Sequence, residues 1–187
     1  MNWSRFIQKS SLNIQKDLFL LVVIFCVCTF VSAQDAGLKE KKIQKLEAEW
    51  EELVYQKGGC IGGMQYAHQP LGDEMEEYLV FGMSSWKVFV KQENNHLFEF
   101  LISQFSDTTK TKVHTCPFFI ATNGEMAVYA IQKITKVNWY DFEDFNSYKD
   151  KKTTGSMDQP QMWLRSILTD HRKRKKLIGY YRAYYYK

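Results

Sequence analysis

Apolar residues of this 187-residue chain recur at the three- and four-residue spacing of amphipathic helices. The first such stripe consists of Ile43, Leu46, Trp50 and Leu53. Charged residues fill the positions between them, and Gly58-Gly59 follows as a helix stop. We therefore predict an amphipathic helix over about residues 38–56. The low content of proline (three) and glycine (ten) disfavours a turn-rich all-β fold.

The most specific helix start lies at Thr122. Glu125 follows it by three residues, which matches a capping box, and residues 126–134 are apolar on most sides. This pattern predicts a central, buried helix. Asn94 or Asn95 is a second predicted cap, because a broad apolar face follows it.

Other segments carry weaker signals. Residues 84–90 alternate like a strand but follow a serine pair that fits a helix start, and we favour a helix there. Residues 58–72 and 106–120 are predicted loops, the second extended around its proline. A last helix is expected to begin near Pro160, with Asp158 or Ser156 as its cap.

The first 33 residues have the pattern of an export signal. The basic residues Arg5, Lys9 and Lys16 precede an uncharged run, Leu18–Val31, and Val31-Ser32-Ala33 then offers a cleavage site. The run has 14 residues, fewer than the roughly 20 that cross a bilayer as a helix. We predict export to the periplasm, the cell envelope or the medium. An uncleaved anchor over residues 18–33 is the alternative.

These signals together predict a mainly α fold, a small helical domain of stacked helix pairs with a basic helical extension. The predicted segments are a signal peptide (1–33), a helical domain (34–146), a linker (147–160) and a basic, tyrosine-rich C-terminal helix (161–187).

Two cysteines remain once the leader is removed. Cys60 and Cys116 are candidates for a disulfide, since an exported chain meets oxidising conditions. Two separate thiols are an alternative. A further alternative is a metal- or thiol-dependent enzyme using Cys60, His68, His114 and Cys116, although their spacing matches no standard zinc site.

Charge is unevenly distributed along the chain. Residues 165–187 contain eight Lys or Arg and one Asp, a net charge of +7, whereas residues 34–164 have a net charge of −5. The predicted docking surface of this tail comprises Arg172, Lys173, Arg174, Lys175, Lys176, Tyr180, Tyr181, Arg182, Tyr184 and Tyr185. Basic residues mixed with aromatic ones are typical of helices that bind anionic surfaces.

No standard catalytic motif is present in the sequence, and no cofactor is expected. We therefore favour a non-enzymatic interaction or structural protein whose tail docks on an anionic membrane surface or an acidic protein. Export argues against a nucleic acid as the partner. A homo-oligomer in which basic tails meet acidic bodies is a further hypothesis.

Overall fold

A computed structural model describes residues 40–63, 65–66, 77–92, 94–115, 119–155 and 157–187 of the chain. The chain divides into two units, Met1–Gln44 and Lys45–Lys187. Only residues 40–44 of the first unit are described, and they are helical. The predicted signal peptide, with its cleavage site and its alternative as an anchor, lies outside the described residues. Within the described ranges, no helix has the length and apolar character needed to cross a membrane.

The described part of the chain is mainly helical, as predicted, with one small sheet. The helices are α1 (residues 40–51, continued as a π-helix over Glu52–Lys57), α2 (Ser84–Val90), α3 (Asn95–Ser103), α4 (Asn123–Thr135), α5 (Pro160–Thr169) and α6 (His171–Tyr185). The strands are β1 (Gly59–Cys60), β2 (Lys110–Thr115) and β3 (Phe119–Thr122). Short 3₁₀ turns cover Val80–Gly82, Gln104–Ser106, Trp139–Asp141 and Glu143–Tyr148.

The sheet was not predicted from the sequence. Its order is β1-β2-β3, with β1 parallel and β3 antiparallel to the central strand β2. Residues 110–115 are therefore a strand rather than part of a loop. The alternation of exposed and buried residues in β2 is hidden in the sequence because two of its three buried residues are Thr111 and Thr115. Their hydroxyls donate to the carbonyl oxygens of Ala121 (2.9 Å) and Phe119 (3.2 Å), which compensates for their burial.

The predicted stripe of α1 packs an aromatic core within the second unit. Leu46, Trp50 and Leu53 are buried, and the Trp50 ring makes an edge contact with Trp86 of α2 at 5.7 Å between centroids. Its Nε1 donates to Asn123 Oδ1 (2.7 Å), so the start of α4 is tied to α1. The prediction of a helix over residues 84–90 is confirmed.

The capping box at the start of α4 is confirmed in full. The Thr122 side chain accepts from the backbone N–H of Glu125, and the Glu125 carboxylate accepts from that of Thr122. Asn94 is the confirmed cap of α3, since its Oδ1 accepts from the Leu97 N–H (3.0 Å). Both helices begin where local hydrogen bonding satisfies their first amides.

The C-terminal region differs in detail from its prediction. A helix does begin at Pro160, but Gln159 is its cap, and Asp158 instead accepts hydrogen bonds from Lys151 and Trp163. Ser156, the other predicted cap, lies outside the described residues. The helix ends at Thr169, and Asp170 caps a separate helix, α6, by accepting from two backbone amides.

Candidate functional site

One side of α6 is built into the hydrophobic core. Leu177 and Tyr181 are fully buried at one-turn spacing, and burial raises the pKa of Tyr181 well above its usual range. Tyr181 was predicted to face a partner, but its position makes it a core residue.

Other residues of the predicted docking surface make intramolecular contacts. The Tyr180 ring stacks on Phe142 with 5.0 Å between centroids, and the Tyr185 ring stacks on Phe98 at 4.0 Å. Arg182 donates from Nε and Nη2 to the Glu99 carboxylate, at 3.1 and 2.5 Å. These hydrogen bonds lower the pKa of Glu99. The C-terminal half of α6 is therefore anchored, and of the predicted rings only Tyr184 keeps a large exposed area, at 45%.

The N-terminal half of α6 presents the remaining cations to solvent. We define the cationic face as the exposed residues Arg172, Lys173, Lys175 and Lys176. Arg174 is excluded because it is only half-exposed and its guanidinium donates to the carbonyl oxygen of Leu168. Lys176 is exposed but is also ion-paired with Asp144 (3.0 Å). Residues 172, 175 and 176 have the spacing of one helix face, away from Leu177. The face is thus held in a fixed orientation by the buried side of the same helix.

A groove of about 380 Å³ lies beside this face and is lined in part by Arg172, Lys173 and Lys176. Asp144 and Asp170 also line it. Hydrogen bonds from Lys176 and Tyr180 lower the pKa of Asp144, and backbone N–H groups of α6 lower that of Asp170. Both carboxylates are therefore engaged in internal hydrogen bonds.

The predicted cysteine and histidine site is only half described. Cys60 on β1 and His114 on β2 are paired in the parallel register, which places them side by side in the sheet. His68 and Cys116 lie outside the described residues. Among the residues that are described, no group of three or more His, Cys, Asp or Glu side chains could hold a metal ion.

The structure also contains a pocket that sequence reasoning missed. We define the aromatic pocket, with a volume of about 140 Å³, by five rings from three parts of the chain: Tyr66, Trp139, Tyr140, Tyr148 and Trp163. Gln65, Lys149, Lys151 and Thr153 also line it. The rings come together only through the tertiary fold, because residue 66 lies more than seventy positions before residue 139. Aromatic abundance was the only available signal, and it does not distinguish a core from a pocket.

Several buried polar side chains have no hydrogen-bond partner among the described residues, and two of them are Tyr129 and Gln161. The Tyr129 hydroxyl and both amide atoms of Gln161 have no hydrogen-bond partner among the described residues, and both side chains are fully buried. Burial raises the pKa of Tyr129 well above its usual range, with smaller contributions from Glu125, Tyr140 and Tyr66. Gln161 follows Pro160, which lines the pocket.

Comparison with known proteins adds no assignment for either region. No protein-family model matches the chain, and neither curated proteins nor solved structures show a significant similarity to it.

Proposed function

We propose that this chain is an exported, non-enzymatic protein that docks on an anionic membrane surface through the cationic face of α6. The observation that carries the proposal is the exposure of Arg172, Lys173, Lys175 and Lys176 on a helix anchored by its opposite side. The export signal predicted from residues 1–33 would bring the protein to such a surface.

The composition of the face favours lipid headgroups over an acidic protein. Protein interfaces depend on a desolvated centre that is usually aromatic or apolar. Leu177 and Tyr181 of α6 are buried and Tyr185 and Tyr180 stack on Phe98 and Phe142, so of the rings predicted for docking only Tyr184 is left largely exposed, which is too little for such a centre. Binding to anionic lipids requires only charge, at about 1 kcal/mol for each Lys or Arg near the surface.

The same packing defines how the protein would bind. Tyr180, Tyr181 and Tyr185 make contacts inside the protein and are not available to enter the bilayer interface. Docking is therefore electrostatic and lies at the level of the headgroups. It should be reversed by salt, because screening acts strongly on exposed charges.

Vesicle sedimentation tests this proposal. The purified protein is titrated with vesicles of equal parts phosphatidylglycerol and phosphatidylcholine, and with phosphatidylcholine alone, at low and high salt. Replacing Arg172, Lys173 and Lys175 by Gln should weaken binding to the anionic vesicles by roughly 150-fold, about 3 kcal/mol. The cap of α6 should survive, since Asp170 accepts from backbone amides rather than from these side chains.

The matched control removes the same charge elsewhere. Lys87, Lys91 and Lys110 are exposed on other elements, and their replacement by Gln should leave most of the affinity intact. Equal losses in the two triple variants would show that net charge, not this face, attracts the lipid. Binding that is insensitive to salt would also contradict the proposal.

A further inference from the structure

The aromatic pocket already holds a cation that belongs to the chain itself. The Lys151 Nζ lies 4.3 Å from the centroid of the Trp163 ring and 5.8 Å from that of the Tyr148 ring. A cation within about 6 Å of a ring centroid is attracted by the negative face of the ring. All three residues line the pocket, so the contact belongs to the pocket itself. Its rings are therefore arranged to bind positive charge.

Four of the rings form one continuous wall. The distances between ring centroids are 5.7 Å for Trp163 and Tyr148, 5.3 Å for Tyr148 and Trp139, and 5.2 Å for Trp139 and Tyr140. Trp139, Tyr140 and Trp163 are buried, so the core of the protein holds this wall in place. Lys151 lies over the end formed by Trp163 and Tyr148, and a volume of about 140 Å³ is open in the pocket.

The Lys151 ammonium is a weakly held occupant. Residues 151–154 are exposed and have no regular secondary structure. Lys151 is ion-paired with Asp158 (2.8 Å), but its side chain is 41% exposed, and exposed ion pairs contribute little to stability. Asp158 also accepts hydrogen bonds from Thr154 and from the Trp163 indole, so it would stay in place if Lys151 moved away.

The lining of the pocket restricts the kind of cation that could take the place of Lys151. The Tyr66 hydroxyl donates to Gln159 (2.6 Å) and the Trp163 indole donates to Asp158, so the walls offer a ligand mainly ring faces. A cation with N–H groups would exchange hydrogen bonds to water for these faces, which is costly. A quaternary ammonium has no N–H donor to satisfy, and aromatic walls are characteristic of the sites that bind it.

We infer that the aromatic pocket binds a quaternary ammonium group and that Lys151 is a tethered competitor for this site. The ligand displaces the Lys151 ammonium from the Trp163 ring, and the Asp158 carboxylate beside that ring then balances the charge of the ligand. The inference is independent of the proposed membrane docking, because the cationic face contributes no residue to the pocket.

Titration with choline and two comparison compounds tests the ligand class. The full-length protein is titrated with choline chloride, followed by tryptophan fluorescence and saturation-transfer NMR, with sodium chloride as the reference for ionic strength. The comparison compounds are 3,3-dimethylbutan-1-ol, the uncharged isostere of choline, and methylammonium, a cation with N–H donors. We expect each to bind at least about fivefold more weakly than choline. Equal or tighter binding of either compound would overturn the inference.

Lys151→Ala tests the role of the tethered competitor. The variant removes the ammonium from the Trp163 ring, so it should bind choline at least about fivefold more tightly than the wild type does. Lys152→Ala is the matched control, because Lys152 is exposed in the same segment but does not line the pocket. Its choline affinity should equal that of the wild type. Failure of Lys151→Ala to bind choline, or the same gain in both variants, would contradict the inference.

Tyr148→Leu tests the aromatic wall. Leucine keeps an apolar side chain at this half-buried position and removes the ring, so choline affinity should fall about fivefold or more. Tyr184→Leu removes an exposed ring that does not line the pocket and should bind choline as the wild type does. Urea unfolding shows whether each variant is folded. Unchanged choline affinity in folded Tyr148→Leu would count against the inference.

The same titration distinguishes two sources of the quaternary ammonium group. One is a free solute of the choline type, and the other is a phosphocholine headgroup. Binding of sn-glycero-3-phosphocholine at least as tight as that of choline would support the site and identify the headgroup. Binding of choline alone would support the site and identify a free solute.

Discussion

Removing the positive charge of Arg165 should destabilise the protein strongly. Its guanidinium donates from Nε to Glu125 Oε1 (3.0 Å) and from Nη2 to Oε2 (2.8 Å). Glu125 is fully buried, and its Oε2 also accepts from the backbone N–H of Thr122 (2.6 Å). Arg165→Met would retain the length of the side chain while leaving this carboxylate buried without its counter-ion.

The expected cost follows from the burial of the two partners. Breaking a buried ion pair by removing one partner costs about 3–5 kcal/mol. The Arg165 side chain is 26% exposed, so water can partly replace it, and we expect a value near the lower end, about 3 kcal/mol. Urea unfolding followed by tryptophan fluorescence measures the loss. An unchanged m-value would show that the unfolded and native states are otherwise comparable.

A second substitution distinguishes lost attraction from a stranded charge. Glu125→Gln in the Arg165→Met background keeps a side-chain oxygen for the Thr122 amide and removes the buried charge. The double variant should recover about 1–2 kcal/mol relative to Arg165→Met alone, because the two residues are in direct contact. If the double variant is no more stable than Arg165→Met alone, the unpaired charge of Glu125 is not the source of the destabilisation.

Arg182 provides a matched control. It makes the same two-point contact with a carboxylate, Glu99, but their side chains are 48% and 39% exposed. Arg182→Met should therefore cost at most about 1 kcal/mol. If Arg165→Met is no more destabilising than Arg182→Met, the reasoning from burial is refuted.

Three further predictions concern other parts of the chain. Gly179→Ala should stabilise α6 by about 0.5–1 kcal/mol in urea unfolding, because the added methyl meets no atom within 4 Å. Gly58→Ala should be destabilising, since φ is +64° and the methyl would lie 2.3 Å from a backbone oxygen of β2. A change of the same sign in the free energy of unfolding of both variants would contradict this reasoning. Burial raises the pKa of Tyr140 to about 12, so its contribution to stability is complete below about pH 10 and is lost as the pH rises towards 12. The melting temperature should therefore fall as the pH rises from about 10 to about 12, and Tyr140→Phe should reduce this fall. An unchanged dependence of melting temperature on pH would contradict the assignment of the loss to Tyr140. Intact mass with and without reductant should show a Cys60–Cys116 disulfide, since Cys60 pairs with the residue two positions before Cys116; equal masses would exclude it.

The helices could be predicted from the sequence because short-range features, such as caps and the spacing of apolar residues, determine where they form. The capping box depends only on Thr122 and Glu125, and the stripe containing Trp50 depends only on spacing, so each could be identified without knowing the fold. The break between α5 and α6 has a local cause too, the Asp170 cap, but the continuous basic run after it favoured a single helix.

The sheet, and which side of α6 is buried, could not be predicted from the sequence because both depend on the tertiary fold. β2 buries Thr111 and Thr115, whose hydroxyls are satisfied only by carbonyl oxygens of the neighbouring strand. Tyr181 and Tyr184 are chemically identical, yet one is completely buried and the other is 45% exposed. The aromatic pocket combines rings from distant parts of the chain, and no short motif encodes such a set.

The parallel pairing of β1 with β2 has a kinetic consequence. Gly59 must meet Val113 across a connection that includes α2 and α3, so this contact closes a long loop. The entropy of that closure is lost before the strands gain their hydrogen bonds, which slows folding relative to a bundle stabilised by local contacts. We therefore expect refolding to be limited by the joining of β1 and β2, after the helices have begun to form.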